Sequence, residues 1–289
     1  MCRLFALHAG VEPVAATFWL IQAPDSLAAQ SHRNPDGAGV GAFGPDGIPT
    51  VDKQPLAAWQ DQAFAAAART LRSKTFVAHV RYASTGPRTT ANTHPFAEDG
   101  RIFAHNGIVT DLPAIDARLL TLGATHLVHG DTDSERIFAM VTAETMRCGG
   151  DVTAGLTVAV SWISDHVPVY ALNLVLASAT DLWALRYPGT HELYVLDRPP
   201  GGTGTHRPLD ARTSRIHASS EHLGSRPSVV VASEPMDDDP AWRLLDSGEL
   251  LHVDASLRLA SSRPFPRTPR RLLRRSDLDP DGASSQHPV

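Results

Sequence analysis

Three short apolar segments, each beside a reactive polar side chain, constrain this chain more than any other feature of its sequence. Their length and their β-branched and aromatic residues predict strands. The segments and their polar neighbours are Arg3–Leu7 after Cys2, Thr75–Val80 before Arg81, and Arg101–His105 before Asn106. Polar groups therefore cluster where the predicted strands stop.

Helical segments separate these strands. Ala57–Arg72 is rich in alanine, Leu112–Leu122 is amphipathic, and a helix with acidic residues in its first turn begins at Thr132. The second half of the chain contains mostly short strands. A length of 289 residues suits one large α/β or α+β domain, which we predict to cover residues 2–260.

Two patterns suggest a dinucleotide site and a metal site, but neither has the features that such a site requires. Gly39–Gly44 has the spacing of a dinucleotide-binding loop, but a Pro-Asp-Gly turn follows where a helix should begin. We expect the glycines of Asp36-Gly37-Ala38-Gly39 to let backbone approach the substrate or the first strand. His79, His94 and His105 lack the i, i+4 spacing of metal ligands, so we predict neither a metal nor another cofactor.

Composition narrows the classes of partner. A formal net charge of −5 gives no general attraction to nucleic acid or to an anionic membrane. No apolar run reaches the roughly 18 residues that a membrane-spanning helix needs. Only two cysteines occur, Cys2 and Cys148, so no disulfide framework is predicted. We expect a cytoplasmic protein that acts on small molecules.

The composition changes at residue 261. Prolines, an arginine-rich stretch between Arg270 and Arg275 and a polar end predict a disordered tail over residues 261–289. Such arginines bind RNA or an acidic partner in some proteins. More often a basic run at a terminus is simply solvated, and we do not expect nucleic-acid binding.

The position of Cys2 gives it a possible catalytic use. Initiator methionine is normally removed when the second residue is small, and loss of Met1 would leave a free amine on the residue that carries the thiol. An α-amino group titrates near ~7.7–8.0, so one residue would supply both nucleophile and base. The alternative is an incidental cysteine with no function.

Three other motifs have both a catalytic and a structural interpretation. Arg81 can hold a carboxylate with its planar guanidinium or form a surface ion pair. Asn106-Gly107 is usually a turn, yet an asparagine N–H and a glycine backbone N–H also bind oxyanions in amidases. Asp133 lies where a residue either caps a helix or pairs with a substrate ammonium.

The order of these motifs resembles that of class II glutamine amidotransferases, the N-terminal-nucleophile amidases, over about residues 2–140. The similar stretches are Cys2-Arg3, Asp36-Gly37-Ala38-Gly39, Ala78-His79-Val80-Arg81, Asn92-Thr93-His94-Pro95-Phe96, His105-Asn106-Gly107 and Thr132-Asp133-Ser134-Glu135. Ala38 departs from the tryptophan that stand-alone members commonly carry. The second half resembles that of stand-alone members, among them the γ-glutamyl amidohydrolase of ergothioneine synthesis.

The resemblance implies a fold and a set of roles. The fold would be α+β, a four-layer α/β/β/α sandwich of the N-terminal nucleophile hydrolase type. Catalysis would fall to Cys2, Asn106 and Gly107, with a thioester intermediate on the cysteine. The residues implied in substrate binding are Arg81, Asp133, Ser84 and His94.

Three functions stay open at this point. The first is a self-contained hydrolase that cleaves the γ-amide of glutamine or of a γ-glutamyl small molecule. The second is a glutaminase subunit that delivers ammonia to a separate acceptor enzyme. The third is a catalytically silent γ-glutamyl-binding scaffold, which the presence of Cys2, Arg81, Asn106 and Asp133 argues against.

Overall fold

The computed structural model describes residues 2–200, 210–213, 216–219 and 226–286. Its strands are β1 Arg3–His8, β2 Gly37–Phe43, β3 Pro49–Gln54, β4 Thr75–Arg81, β5 Phe96–Glu98, β6 Arg101–Val109, β7 Val169–Ala177, β8 Leu182–Arg186, β9 Tyr194–Arg198, β10 Asp210–Thr213, β11 Ile216–Ser219, β12 Ser228–Ala232, β13 Arg243–Leu244, β14 Glu249–Val253 and β15 Leu259–Ser262. Its helices are α1 Leu27–Gln30, α2 Gln62–Thr70, α3 Leu112–Leu122, α4 Asp133–Arg147, α5 Val152–His166 and α6 Pro280–Ser285, with a π-helix at Phe18–Gln22 and 3₁₀ turns at Thr125–Leu127 and Arg275–Asp277. Within these ranges no helix is long and apolar enough to cross a membrane.

Two antiparallel sheets form the centre of the molecule. One has the strand order β13-β9-β12-β1-β4-β2-β3 and the other β15-β14-β8-β7-β6-β5. Strand β1 is central in the first sheet, where Phe5 lies opposite Ala78 on one side and Ala232 on the other. Because β1 is paired on both sides, the backbone that follows Cys2 is held in a fixed position.

Alternation along the strands builds three hydrophobic layers. Phe5 of β1 faces α1, α2 and the π-helix, and Phe103 of β6 faces α3, α4 and α5. Leu4 and Ala104, one position along their strands, pack between the two sheets. The order helices, sheet, sheet, helices is the four-layer α/β/β/α sandwich that the resemblance implied, so the predicted fold class is confirmed.

The glycines of β2 lie against segments other than the first strand. A β-carbon added to Gly39 would lie 2.3 Å from the carbonyl oxygen of His94, and one added to Gly41 would lie 2.9 Å from Ile102. These glycines therefore admit the His94-Pro95 segment and strand β6, and the expected approach of backbone to the substrate stays a prediction.

Residues 261–286 differ from the disordered tail that their composition predicts. Leu272 forms a bridge with Val169, and the Arg270 N–H donates to the Ser164 carbonyl oxygen at 2.9 Å. Phe265 is buried against the ring of Tyr187. Three apolar side chains among the prolines and arginines explain the difference, because Phe265, Leu273 and Leu278 pack against the second sheet. The domain boundary at residue 260 stays a prediction, and residues 287–289 lie outside the described part.

Candidate active site

Strand alternation directs three of the predicted site residues into the space between the sheets. Cys2 lies two residues before Leu4 of β1, and Asn106 two residues after Ala104 of β6, and both neighbours are inter-sheet residues. Arg81 ends β4 with the same orientation, since Val77 on that strand also packs between the sheets. Side chains two or four positions apart on a strand share a face, so the three converge at one end of the inter-sheet layer.

The thiol of Cys2 is held by the backbone of Tyr82. Its Sγ accepts a hydrogen bond from the Tyr82 N–H at 3.2 Å and lies 3.3 Å from the Tyr82 carbonyl oxygen. Burial raises the pKa of this thiol, while the Tyr82 N–H and the positive charges of Arg81 and Arg3 act in the opposite direction. A thiol with a raised pKa is protonated at neutral pH, so its attack on a carbonyl requires a base.

Arg81 is buried, which excludes a surface ion pair. Its Nη2 donates to the carbonyl oxygens of Thr85 at 2.7 Å and Gly86 at 3.2 Å, and its Nη1 donates to that of Pro87 at 3.1 Å. Burial lowers the pKa of Arg81, and the neighbouring Cys2, Asp36 and Asp133 raise it. The guanidinium therefore lies among the site residues and also shapes the loop that follows β4.

Asp36 and Arg88 also belong to this region, although the sequence motifs assigned neither of them a role. Asp36 accepts a hydrogen bond from the Ala83 N–H at 2.9 Å, and its own N–H donates to the Arg81 carbonyl oxygen at 3.0 Å. Its other carboxylate oxygen pairs with Arg88 Nη2 at 3.0 Å. Asp36 belongs to the Asp36-Gly37-Ala38-Gly39 motif, but its contact with Arg88 could not be predicted because the two residues are far apart in the sequence.

Asn106 and Gly107 lie inside strand β6 and do not form a turn. Gly107 faces Leu172 of β7, and a β-carbon there would lie 1.9 Å from the Ala171 carbonyl oxygen. The Asn106 side chain is buried, and its Oδ1 has no hydrogen-bond partner in the part of the chain that the structure describes. Oδ1 is an acceptor, so this open position suits a donor group of a ligand, whereas an oxyanion would bind the N–H donors of the same amide.

Asp133 is the first residue of α4, but it does not cap the helix. The cap is Thr132, whose hydroxyl accepts a hydrogen bond from the Glu135 N–H at 3.2 Å. Asp133 instead accepts from the Val109 N–H at 2.9 Å and from the Ser134 N–H at 2.9 Å. These bonds tie the start of α4 to the end of β6 and fix the carboxylate near Arg81.

The predicted substrate-binding residue His94 lies beneath the site. Its ring is 4.3 Å from that of His79 and 4.6 Å from that of Phe96, centroid to centroid. Burial lowers the pKa of His79 to about 3 and that of His94 well below its ordinary value. Both rings are therefore neutral. Among the described residues no group of three or more His, Cys, Asp or Glu side chains is arranged to hold a metal ion.

A cleft of about 490 Å³ opens beside these residues. Tyr82, the residue that contacts Cys2, lines the cleft, and so does Ser84. Part of its lining comes from helix α6, far along the chain. The lining residues are Asp36, Tyr82, Ala83, Ser84, Gly86, Pro87, Arg88, Asp281 and Ser284.

Comparison with known proteins supports one family. Residues 1–271 match the family model described as glutamine amidotransferases class-II. The chain is 28% identical to a γ-glutamyl-hercynylcysteine sulfoxide hydrolase from Mycolicibacterium smegmatis, over 88% of this chain and 96% of that protein.

Solved structures show the same fold at lower sequence identity. A glutamine aminotransferase class-II domain protein from Silicibacter pomeroyi superposes with a TM-score of 0.61 at 22% identity, covering 91% of this chain and 99% of that one. Glutamine phosphoribosylpyrophosphate amidotransferase from B. subtilis superposes with a TM-score of 0.63 at 19% identity, covering 92% of this chain and 50% of that one. With the family match spanning most of the sequence, the chain belongs to the class II glutamine amidotransferases.

Proposed function

We propose that this protein is an amidohydrolase that cleaves the γ-amide of glutamine or of a γ-glutamyl small molecule, with Cys2 as nucleophile after removal of Met1. The observation that supports the proposal is the contact of Cys2 Sγ with Tyr82, a residue that follows the buried Arg81 and lines the cleft. Arg81 would hold the substrate α-carboxylate, and Asp133 the α-ammonium.

The reaction proceeds through one thioester intermediate on Cys2. The Cys2 sulfur bonds to the γ-carbonyl carbon, and the thiol proton passes to the Cys2 amine. Asn106 and the Gly107 N–H stabilise the oxyanion, the Cys2 amine gives the proton to the departing nitrogen, and the carbon–nitrogen bond breaks. Water then cleaves the thioester, which releases glutamate and restores the thiol. Ser84 and His94 have no defined step in this scheme.

The comparisons favour a hydrolase over a subunit that supplies ammonia. The chain covers nearly all of the M. smegmatis hydrolase, but half of the phosphoribosylpyrophosphate amidotransferase. The cleft also leaves room for a leaving amine larger than ammonia. We therefore put γ-glutamyl-hercynylcysteine sulfoxide, named for the relative, first among the compounds to test, followed by other γ-glutamyl amides.

Intact mass spectrometry tests the proposal. The purified protein is measured before and after exposure to an electrophilic glutamine analogue, beside the variants Cys2→Ala and Cys148→Ala. We expect the parent protein to lack Met1 and to gain one adduct. Cys2→Ala should gain no adduct, and Cys148→Ala should behave like the parent. Turnover of a γ-glutamyl amide by Cys2→Ala would sink the proposal, as would an adduct that depends on Cys148 alone.

A further inference from the structure

Helix α6 forms one wall of the cleft beside the site. Asp281 and Ser284, almost one turn apart, are exposed and line the cleft. Gly282 and Ser285, each one position further along the helix, are buried. The helix therefore presents Asp281 and Ser284 to the cleft and is anchored through the adjacent face.

The anchor is the strand that carries Asn106. A β-carbon added to Gly282 would lie 3.4 Å from Ile108 Cδ1, and Leu278 packs on the small cluster around Ile108. Asp279 caps the helix by accepting a hydrogen bond from the Gly282 N–H at 2.6 Å. Since Ile108 is two residues from Asn106, these contacts keep the wall at a constant position relative to the site.

The charges on the cleft walls do not balance. Arg88 is paired with Asp36, so its positive charge is already compensated. Asp281 has neither a hydrogen-bond nor an ion-pair partner within the ranges the structure describes. Among the described residues that line the cleft, Asp281 is therefore the charged side chain without a partner, and a carboxylate attracts cations.

The cleft adjoins the buried site residues at Tyr82. Arg81 and Asp133 are buried and are not among the residues that line the cleft, whereas Ser84, Arg88 and Asp281 line it. Tyr82 follows Arg81 in the chain, contacts Cys2 Sγ and also lines the cleft. On the proposed function, the glutamyl group lies on the buried side of Tyr82, and the leaving amine extends past Tyr82 towards α6.

We propose that Asp281 is a specificity-determining residue that selects substrates whose leaving amine carries a positively charged group. This inference rests on the proposed function, because that function decides which half of the substrate faces α6. The cation would lie against the Asp281 carboxylate, with the Ser284 hydroxyl on the same wall as a second polar contact. No covalent step involves either residue.

Matched γ-glutamyl amides test the assignment. γ-Glutamyl-lysine carries a side-chain ammonium, and γ-glutamyl-norleucine is a neutral analogue of similar shape. We measure kcat/KM for both with the unmodified protein, Asp281→Asn and Asp281→Lys, at low and high salt. Asp238→Asn is the control, since Asp238 is exposed and not among the residues that line the cleft.

The unmodified protein should prefer the lysine compound. Asp281→Asn should reduce that preference about fivefold to tenfold, as for loss of a partly exposed hydrogen bond to a charged group. Asp281→Lys should reverse the preference, salt should weaken it, and Asp238→Asn should leave it intact. An equal preference in the unmodified protein and Asp281→Asn would overturn the assignment.

Binding separates this outcome from failure of the proposed function. Calorimetry with Cys2→Ala, and with Cys2→Ala combined with Asp281→Asn, reports the same charge preference without turnover. If the unmodified protein cleaves neither amide but Cys2→Ala binds the lysine compound more tightly through Asp281, the hydrolase proposal fails and the assignment of Asp281 holds. If the unmodified protein cleaves both amides at rates that do not depend on Asp281, the hydrolase proposal holds and the assignment of Asp281 fails.

Discussion

The buried floor of the site and the open wall of the cleft are built in opposite ways. The site floor comprises Cys2, Arg81, Asn106 and Asp133, and the last three are only 2–3% exposed. The cleft wall comprises residues 82–88 and α6, and the Arg88 side chain is 68% exposed. Floor residues extend from strands or a helix inside large cores, whereas the wall is a loop and a short helix fixed by a few contacts.

This difference separates two properties of the protein. Groups held by sheets keep their geometry during a reaction, which transition-state stabilisation requires. Groups on a loop and a short helix can change without disturbing a core, and so they suit substrate selection. We expect variants of the floor to change the rate for every substrate, and variants of the wall to change the ranking of substrates.

Removal of the Asn106 side chain should give the largest effect on rate. Loss of one oxyanion donor typically lowers kcat by ~10²–10³, so Asn106→Ala should slow thioester formation by that factor with both γ-glutamyl-lysine and γ-glutamyl-norleucine. Rapid-quench measurement of the acyl-enzyme gives this rate. If the loss of rate differed strongly between the two amides, Asn106 would contribute to substrate selection, as the wall residues are expected to do.

Asn173→Ala is the matched control for that experiment. Asn173 lies opposite Asn106 in β7 and is equally buried, but its amide donates to the Glu192 carbonyl oxygen at 3.0 Å and accepts from the Tyr187 N–H at 3.0 Å. Its removal should lower the free energy of unfolding by about 1–3 kcal/mol, because partners are left unsatisfied. A loss of kcat as large as that of Asn106→Ala would contradict a special role for Asn106.

The floor could be predicted from the sequence to a large extent. Short strands and the polar residues at their ends are local patterns, and alternation fixes which side chains share a face, as for Cys2 and Leu4 or Asn106 and Ala104. The turn interpretation of Asn106-Gly107 fails because pairing with β7 outweighs local turn preference.

The wall could not be predicted in the same way. The arginines and prolines after residue 261 suggest disorder, but long-range packing such as that of Leu278 on the cluster around Ile108 adds to the local cap of α6. The pair of Asp36 with Arg88 likewise joins residues on opposite sides of strand β4 along the chain. A prediction from composition takes no account of individual tertiary contacts. It therefore assigns disorder to a segment that a few apolar side chains hold in place.

Arg81 connects the two regions, and Arg81→Lys should have an intermediate effect. Lysine retains the charge, but its single nitrogen replaces the two guanidinium nitrogens that donate to the Thr85, Gly86 and Pro87 carbonyl oxygens. We expect KM for both amides to rise about 10- to 100-fold, together with faster hydrogen exchange across residues 82–88. Arg69→Lys, on the exposed face of α2, is the control. A higher KM with unchanged exchange would show that Arg81 acts on the substrate alone.

The smallest expected effect concerns the stability of the floor in acid. Burial lowers the pKa of His79 to about 3, against an ordinary value near 6.5, so the native ring stays neutral while the unfolded one takes up a proton. Its contribution to stability is complete above pH ~6.5 and falls as the pH drops towards ~3, by up to about 1.4 kcal/mol per pH unit.

Denaturant unfolding of the parent and of His79→Gln between these pH values measures that slope. We compare slopes and not absolute stabilities, because the substitution itself changes packing at every pH. His79→Gln should have a shallower dependence than the parent. Equal slopes for the two proteins would mean that His79 takes up its proton without unfolding. The floor would then tolerate a charge beside Arg81, and its rigidity could not be what distinguishes it from the wall.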